Sequence, residues 1–361
     1  MSRLKIDFII SKMSSGGAER VVANLANYFA ENSYTVRVVT FYGDDHYSLN
    51  KSIDRIKLHN KGIIKSVLVN GFINLIKFYS KATNRPTVIS SHIDMLGIVT
   101  IPIARLYNIK IIVSEHFNHK FPVYHPLRNF LWNKLYKYPN AVTVLTEYDL
   151  SFFRQRAKKV IVMENPCSFS INQSKTEIRD KTILAIGNLD RLEHKGFDNL
   201  IKIAQNVLPK NPDWKLRIIG PGDSGRIKLE RMIEASNMER YIELLGFRDD
   251  IQSLMSTSSI FILSSRNEGL PMVLLEAMSQ GMSCIAYNCV SGPSDIIDNN
   301  INGILVEDQN LYKMSQELDS LIKNPKKRNE LIINSTSTLE RFSIKSVGSK
   351  WERLIEQLIA S

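Results

Sequence analysis

The chain has 361 residues, 43 % hydrophobic and 23 % charged, enough apolar material for two cores, and this composition excludes a disordered, collagen-like or coiled-coil protein. Its longest apolar run, residues 95–104, lies between Asp94 and Arg105 and falls short of the roughly 18 residues that span a bilayer. Three cysteines, Cys167, Cys284 and Cys289, form no CxxC pair and leave an odd count, which predicts a reducing compartment and no disulfide frame or structural zinc.

Residues 4–10 have the length of a buried strand, but Lys12 interrupts the run, so no secretory h-region forms and a cytoplasmic protein is expected. The loop Ser14-Ser15-Gly16-Gly17 follows, and residues 18–32 then place Val21, Val22, Leu25, Ala26 and Phe29 on one helical stripe. Strand-like runs recur at 35–41, 87–91, 109–114, 141–145 and 160–163, separated by segments of helical length. Asn165-Pro166 and the polar stretch 168–181 read as a linker. A second series of strands is predicted at 182–187, 215–219, 242–245, 260–263 and 283–287. The tail 311–359 is helical in pattern, with Trp351, Leu354, Ile355 and Leu358 as a late apolar stripe. Such alternation predicts an α/β protein with two doubly wound parallel sheets, whose ligands belong in the loops after the strands.

The charge is uneven. Residues 1–170 hold 23 Lys and Arg against 11 Asp and Glu, a net +12, whereas residues 171–361 carry −1. From Arg55 to Ile93 there is no acidic residue, while Arg55, Lys57, Lys61, Lys65, Lys77, Lys81 and Arg85 are basic. This is a solvated basic face, or a surface for an anionic membrane or nucleic acid. Within it Val67, Leu68, Phe72, Ile73, Leu75 and Ile76 interleave with Lys65, Lys77 and Lys81, so residues 66–83 can form a basic amphipathic helix of the membrane-interface type. The same apolar face could instead pack on the protein's own sheet.

Gly16-Gly17 stands at a helix N-terminus, where free N–H groups and the helix dipole favour an anion, although it matches neither GxGxxG nor GxxxxGKS. In Ser264-Ser265-Arg266-Asn267-Glu268-Gly269-Leu270-Pro271, continuing through Met272 to Glu276, two carboxylates with seven residues between them bracket a helix start. Glu268 and Glu276 could accept vicinal sugar hydroxyls, or serve as a dipole partner and a surface charge. No Asp-x-Asp is present and no His, Cys and Asp cluster has metal-ligand spacing, so no metal cofactor is expected.

The Glu268–Glu276 segment, with Gly16-Gly17-Ala18-Glu19-Arg20, Ser114-Glu115-His116, Asn165-Pro166-Cys167, Gly187-Asn188-Leu189-Asp190, Lys195-Gly196-Phe197-Asp198, Ile219-Gly220-Pro221-Gly222 and Leu245-Gly246-Phe247, resembles glycosyltransferase family 4 along nearly the whole chain. The bacterial enzymes that extend lipid-linked oligosaccharides are the most similar. The resemblance implies an α/β GT-B fold of two Rossmann-like domains facing across a cleft: 1–170 for the acceptor, 171–340 for the nucleotide sugar, and a helix 341–361 crossing back to the N-terminal domain. It implies that Glu276 holds the ribose and that Glu268, with Gly269 and Leu270, faces the donor sugar. It further implies Lys195 at the diphosphate, Gly16 and Gly17 giving it room, His116 beside the reacting centre, and the base against Gly220 and Phe247. Asn188 stands where the family has arginine, and Arg191 in the same loop is the candidate replacement. The implied partners are a UDP-sugar, a polyprenyl-diphosphate-linked sugar acceptor and the anionic inner face of the membrane. A nucleotide-sugar epimerase, a glycan phosphorylase or a nucleic-acid-binding module are the competing readings; the last lacks interleaved stacking aromatics beyond Phe72, Phe78 and Tyr79.

Overall fold

The structure is a computed structural model that describes residues 4–59, 66–120, 125–172 and 179–360. Lys61 and Lys65 lie outside the described residues. Two compact units emerge, Met1–Ser168 with Ser343–Ser361, and Phe169–Phe342.

In the first unit β1 (Lys5–Ile9), β2 (Thr35–Thr40), β3 (Asp54–Lys57), β4 (Val88–His92), β5 (Lys110–Ser114), β6 (Ala141–Val144) and β7 (Val160–Val162) form one sheet in the order β3-β2-β1-β4-β5-β6-β7. In the second, β8 (Asp180–Ile186), β9 (Lys215–Ile219), β10 (Ile242–Gly246), β11 (Ser258–Leu263), β12 (Ser283–Asn288) and β13 (Ile304–Glu307) are ordered β10-β9-β8-β11-β12-β13. Among the described residues every strand pairing in the two sheets is parallel, which requires crossover helices on both faces and makes the central strands continuous apolar runs. β3 and β13 fall outside the predicted strands; β3, Asp54-Arg55-Ile56-Lys57, carries three charges in four residues and so has no apolar run to register.

Chain order reverses between β1 and β4 in the first sheet and between β8 and β11 in the second. At such a point the connections leave to opposite faces and open a crevice beyond the carboxyl ends of the strands. The buried carboxylate of β1, Asp7, is compensated where it lies: Arg37 donates to it at 2.7 and 2.5 Å and the Tyr79 hydroxyl at 2.5 Å.

The last helix, Ile344–Ala360, belongs to the first unit and lies against the helix Gly17–Glu31, where the Tyr28 hydroxyl donates to Glu352 at 3.2 Å. Trp351, Leu354, Ile355 and Leu358 are all buried, and each contributes about 1.5–3 kcal/mol of burial.

The helix Val67–Ser80 is capped by the Ser66 hydroxyl, which accepts from the Val69 N–H. Its apolar residues divide. Leu75 and Tyr79 are fully buried, whereas Val69, Phe72 and Ile73 are 47, 38 and 45 % exposed along an i, i+3, i+4 stripe. One face of this helix therefore packs on the core, as the second expectation has it, and the other is exposed. Among the described residues no helix is long and apolar enough to cross a membrane.

Candidate functional site

The loops after β8, β11 and β12 form a charged cluster at the reversal point of the second sheet. After β8 the Asn188 side chain accepts from the Asp190 N–H at 2.9 Å and starts the turn Leu189–Arg191, so Asn188 spends its amide on the backbone. Asp190 accepts from Ser224 Oγ and Gly225 N at 2.7 and 2.8 Å, bonds that hold its carboxyl below the usual range. A short helix, Leu192–Lys195, then ends on Gly196 in the left-handed region, φ +66°. A side chain there would put Cβ 1.9 Å from the Ser264 carbonyl oxygen, so only glycine lets the two loops meet.

That approach delivers Lys195 Nζ to 2.7 Å from Glu268 Oε1, with both side chains largely out of solvent. Burial pushes the Glu268 carboxyl up, but the Lys195 ammonium outweighs it and holds the group below its ordinary value, ionised and able only to accept hydrogen bonds. Arg266, between them in the chain, is engaged by Asp198 through two 2.7 Å bonds. His194 is pushed down to about 4 by burial and by Arg191 and Lys195, and is therefore neutral at pH 7.

The tight turn beside Glu268 is not made by Gly269, which is not among the positive-φ residues. The demand falls on Gly292 in the loop after β12, at φ +91°, where a Cβ would lie 2.3 Å from the Gly269 carbonyl oxygen. Ser291 Oγ donates to the Glu268 carbonyl at 2.8 Å and ties the same loops together. Pro271 is the N-cap of the helix Met272–Ser279. Leu270 and Glu276 are each 5 % exposed, so Glu276 is not a surface charge. Gly220 and Phe247 follow β9 and β10; the Gly220 N–H donates to the Gly246 carbonyl at 2.9 Å, and Phe247 is half exposed.

The first unit has a second cluster at its own reversal point. Gly16 is the N-cap of the helix Gly17–Glu31; its N–H and carbonyl both bond the Tyr47 hydroxyl, at 3.1 and 3.0 Å, and the Glu19 carboxylate folds back over it. Burial pushes Glu19 up. His116, after β5, meets His92, the last residue of β4, with Nε2 3.0 Å from His92 Nδ1. The sequence motifs do not single out His92; the signal for it is its place at the carboxyl end of a reversal-point strand. His119 instead pairs with Asp149 at 2.7 Å and stacks on Phe152. Among the described residues no group of three His, Cys, Asp or Glu could hold a metal.

The family described as "Glycosyltransferase Family 4" matches residues 15–168, and that described as "Glycosyl transferases group 1" matches residues 169–338. An uncharacterized glycosyltransferase of Haemophilus influenzae is 29 % identical, with 97 % of this chain and 99 % of that protein covered. The GalNAc-alpha-(1->4)-GalNAc-alpha-(1->3)-diNAcBac-PP-undecaprenol alpha-1,4-N-acetyl-D-galactosaminyltransferase of Campylobacter jejuni is 25 % identical over 98 and 99 % of the two chains. A mutant of S. aureus TarM, crystallised with Fondaparinux, alpha-GlcNAc-glycerol and UDP, shares the fold at TM-score 0.82 and 16 % identity, covering 98 and 99 %.

Proposed function

Because the chain belongs to glycosyltransferase family 4, with the GT-B pair of parallel-sheet domains, we propose that it moves a hexose or N-acetylhexosamine from a UDP-sugar to a sugar on a polyprenyl-diphosphate carrier, with retention, in bacterial surface-polysaccharide synthesis. The observation that carries this reading is the buried Lys195–Glu268 pair at the reversal point of the second sheet. An ionised Glu268 accepts two sugar hydroxyls, and Lys195 has two further donors for a diphosphate oxygen. Glu276, buried on the next helix, takes the ribose hydroxyls. Charge builds on the departing nucleoside diphosphate as the bond to the anomeric carbon breaks, so a fixed ammonium aimed at it lowers the barrier. Arg191 supplies the second cation in the loop where Asn188 cannot. In a same-face displacement the acceptor oxygen bonds the anomeric carbon and its proton passes to the leaving phosphate. The Campylobacter relative's undecaprenol-linked substrate and the UDP held by S. aureus TarM support a lipid-linked acceptor and a uridine donor.

The exposed stripe Val69, Phe72 and Ile73, with Lys77 and Lys81 beside it, supports docking of the first unit on an anionic leaflet, where such an acceptor is anchored. The test is incubation of the purified protein with UDP- and GDP-sugars and a polyprenyl-diphosphate-linked sugar, with and without EDTA. A lipid product longer by one sugar, with the donor's anomeric configuration and an EDTA-insensitive rate, is expected. An epimerised donor, an inverted product or an absolute need for manganese contradicts the reading.

A further inference from the structure

Three side chains of the first sheet form a hydrogen-bonded line: Ser90 Oγ lies 2.9 Å from His92 Nε2, His92 Nδ1 lies 3.0 Å from His116 Nε2, and His116 Nδ1 is sealed from solvent with no partner among the described residues. Ser90 and His92 are fully buried. The His92 ring packs near Phe8 and near Trp351 of the terminal helix, with centroids 5.8 and 5.9 Å away. Directly after it Ile93, a β-branched residue, is held at φ +73°, and its N–H donates to the Ser114 carbonyl at 3.2 Å. The chain bends sharply to put this histidine where it is.

Proton counting gives the line a direction. A buried hydroxyl hydrogen must be donated, and His92 Nε2 is the partner within reach of Ser90. His92 Nε2 then accepts, its Nδ1 carries the proton and donates to His116 Nε2, and His116 in turn keeps its proton on Nδ1. Burial pushes both rings down, His116 to about 4, so neither gains a second proton near neutral pH.

We propose that Ser90 and His92 are positioning residues that lock His116 as a neutral Nδ1–H donor for a substrate oxygen at the edge of the first sheet. This rests on the proposed transfer function, in which that edge takes substrate. It makes His116 a hydrogen-bond donor and excludes it as the base that takes the acceptor proton.

The direct test is long-range proton–nitrogen NMR of the full chain labelled with nitrogen-15 histidine at pH 7, with the two rings assigned from His116→Gln and His92→Phe spectra. Nδ1–H tautomers on both rings are expected. An Nε2–H tautomer or an imidazolium at His116 overturns the proposal, and this readout does not depend on which sugar is transferred. Kinetics give the second arm. Orienting partners of ligating histidines are worth about 10–100-fold, and a loss of that order in kcat is expected for Ser90→Ala and His92→Phe, with donor KM nearly constant. His92→Asn, which keeps an amide N–H near the Nδ1 position, should retain most of the turnover. Folded Ser90→Ala and His92→Phe variants with wild-type kcat, or a His92→Asn no better than His92→Phe, would reject the relay.

Discussion

The reversal points of the two sheets are built on opposite electrostatic plans. The second holds an ion pair at 2.7 Å and a bidentate Arg266–Asp198 bridge, all within a few residues of a helix start. The first holds two neutral imidazoles and a glycine helix start bonded to a tyrosine hydroxyl, with the Glu19 carboxyl folded over it. Fixed charge serves where charge develops on a leaving group, and directional neutral donors serve where orientation matters more than field strength. The contrast teaches that two sheets of one topology can be specialised by the loops after four strands.

The largest break in the comparison comes from Lys195→Ala. Turnover should fall by about 10²–10³, as when one preorganised donor to a developing anion is lost. The variant also strands a buried carboxylate, so Lys195→Ala/Glu268→Gln should recover thermal stability without recovering kcat. Steady-state kinetics beside calorimetric melting separate the two effects, and a fully active Lys195→Ala would move the diphosphate elsewhere.

Acid should act next, through the neutral side. The folded state holds His116 at about 4 while the unfolded chain takes a proton near 6.5, so the unfolded state binds more protons in that window and stability falls as pH drops through it. The contribution of His116 is at most about 3 kcal/mol. Denaturant midpoints measured from pH 7 to 4 should flatten in His116→Gln, and an unchanged slope would contradict a buried neutral ring.

Arg191→Ala sharpens the charged side. Losing one charge-assisted contact to the diphosphate costs about 1.5 kcal/mol, roughly tenfold in kcat/KM. Wild-type kinetics would mean that the Asn188 position has no substitute. The smallest effect is at the membrane: each lysine contributes on the order of 1 kcal/mol near an anionic surface, so Lys77→Glu/Lys81→Glu should weaken sedimentation with anionic vesicles and leave zwitterionic ones unbound. Equal binding to both lipids would remove the electrostatic part of the account.

The two plans were unequally legible in the sequence. The charged one is a local string: Glu268, Pro271 and Glu276 sit around one strand-to-helix transition, and Lys195 and Gly196 mark another. The neutral one depends on register. His92 lies opposite Ser114 across the β4–β5 pair, and only that pairing brings it beside His116, 24 residues on in the chain. The helix at 67–80 shows the same limit, since periodicity finds its apolar residues but not that Leu75 and Tyr79 face the core while Phe72 and Ile73 face water. Likewise the glycine that lets the loop after β12 approach Gly269 is Gly292, 23 residues beyond it, which no local motif contains.

The central claim, that the carboxyl edge of the second sheet is the nucleotide site, is tested most directly by calorimetric titration of UDP into the wild type and Glu276→Ala. Loss of a bidentate charge-assisted bond to the ribose should weaken binding by roughly 1.5–3 kcal/mol in Glu276→Ala. His116→Gln, on the other sheet, should shift UDP affinity far less. UDP affinity unchanged in Glu276→Ala would contradict the account.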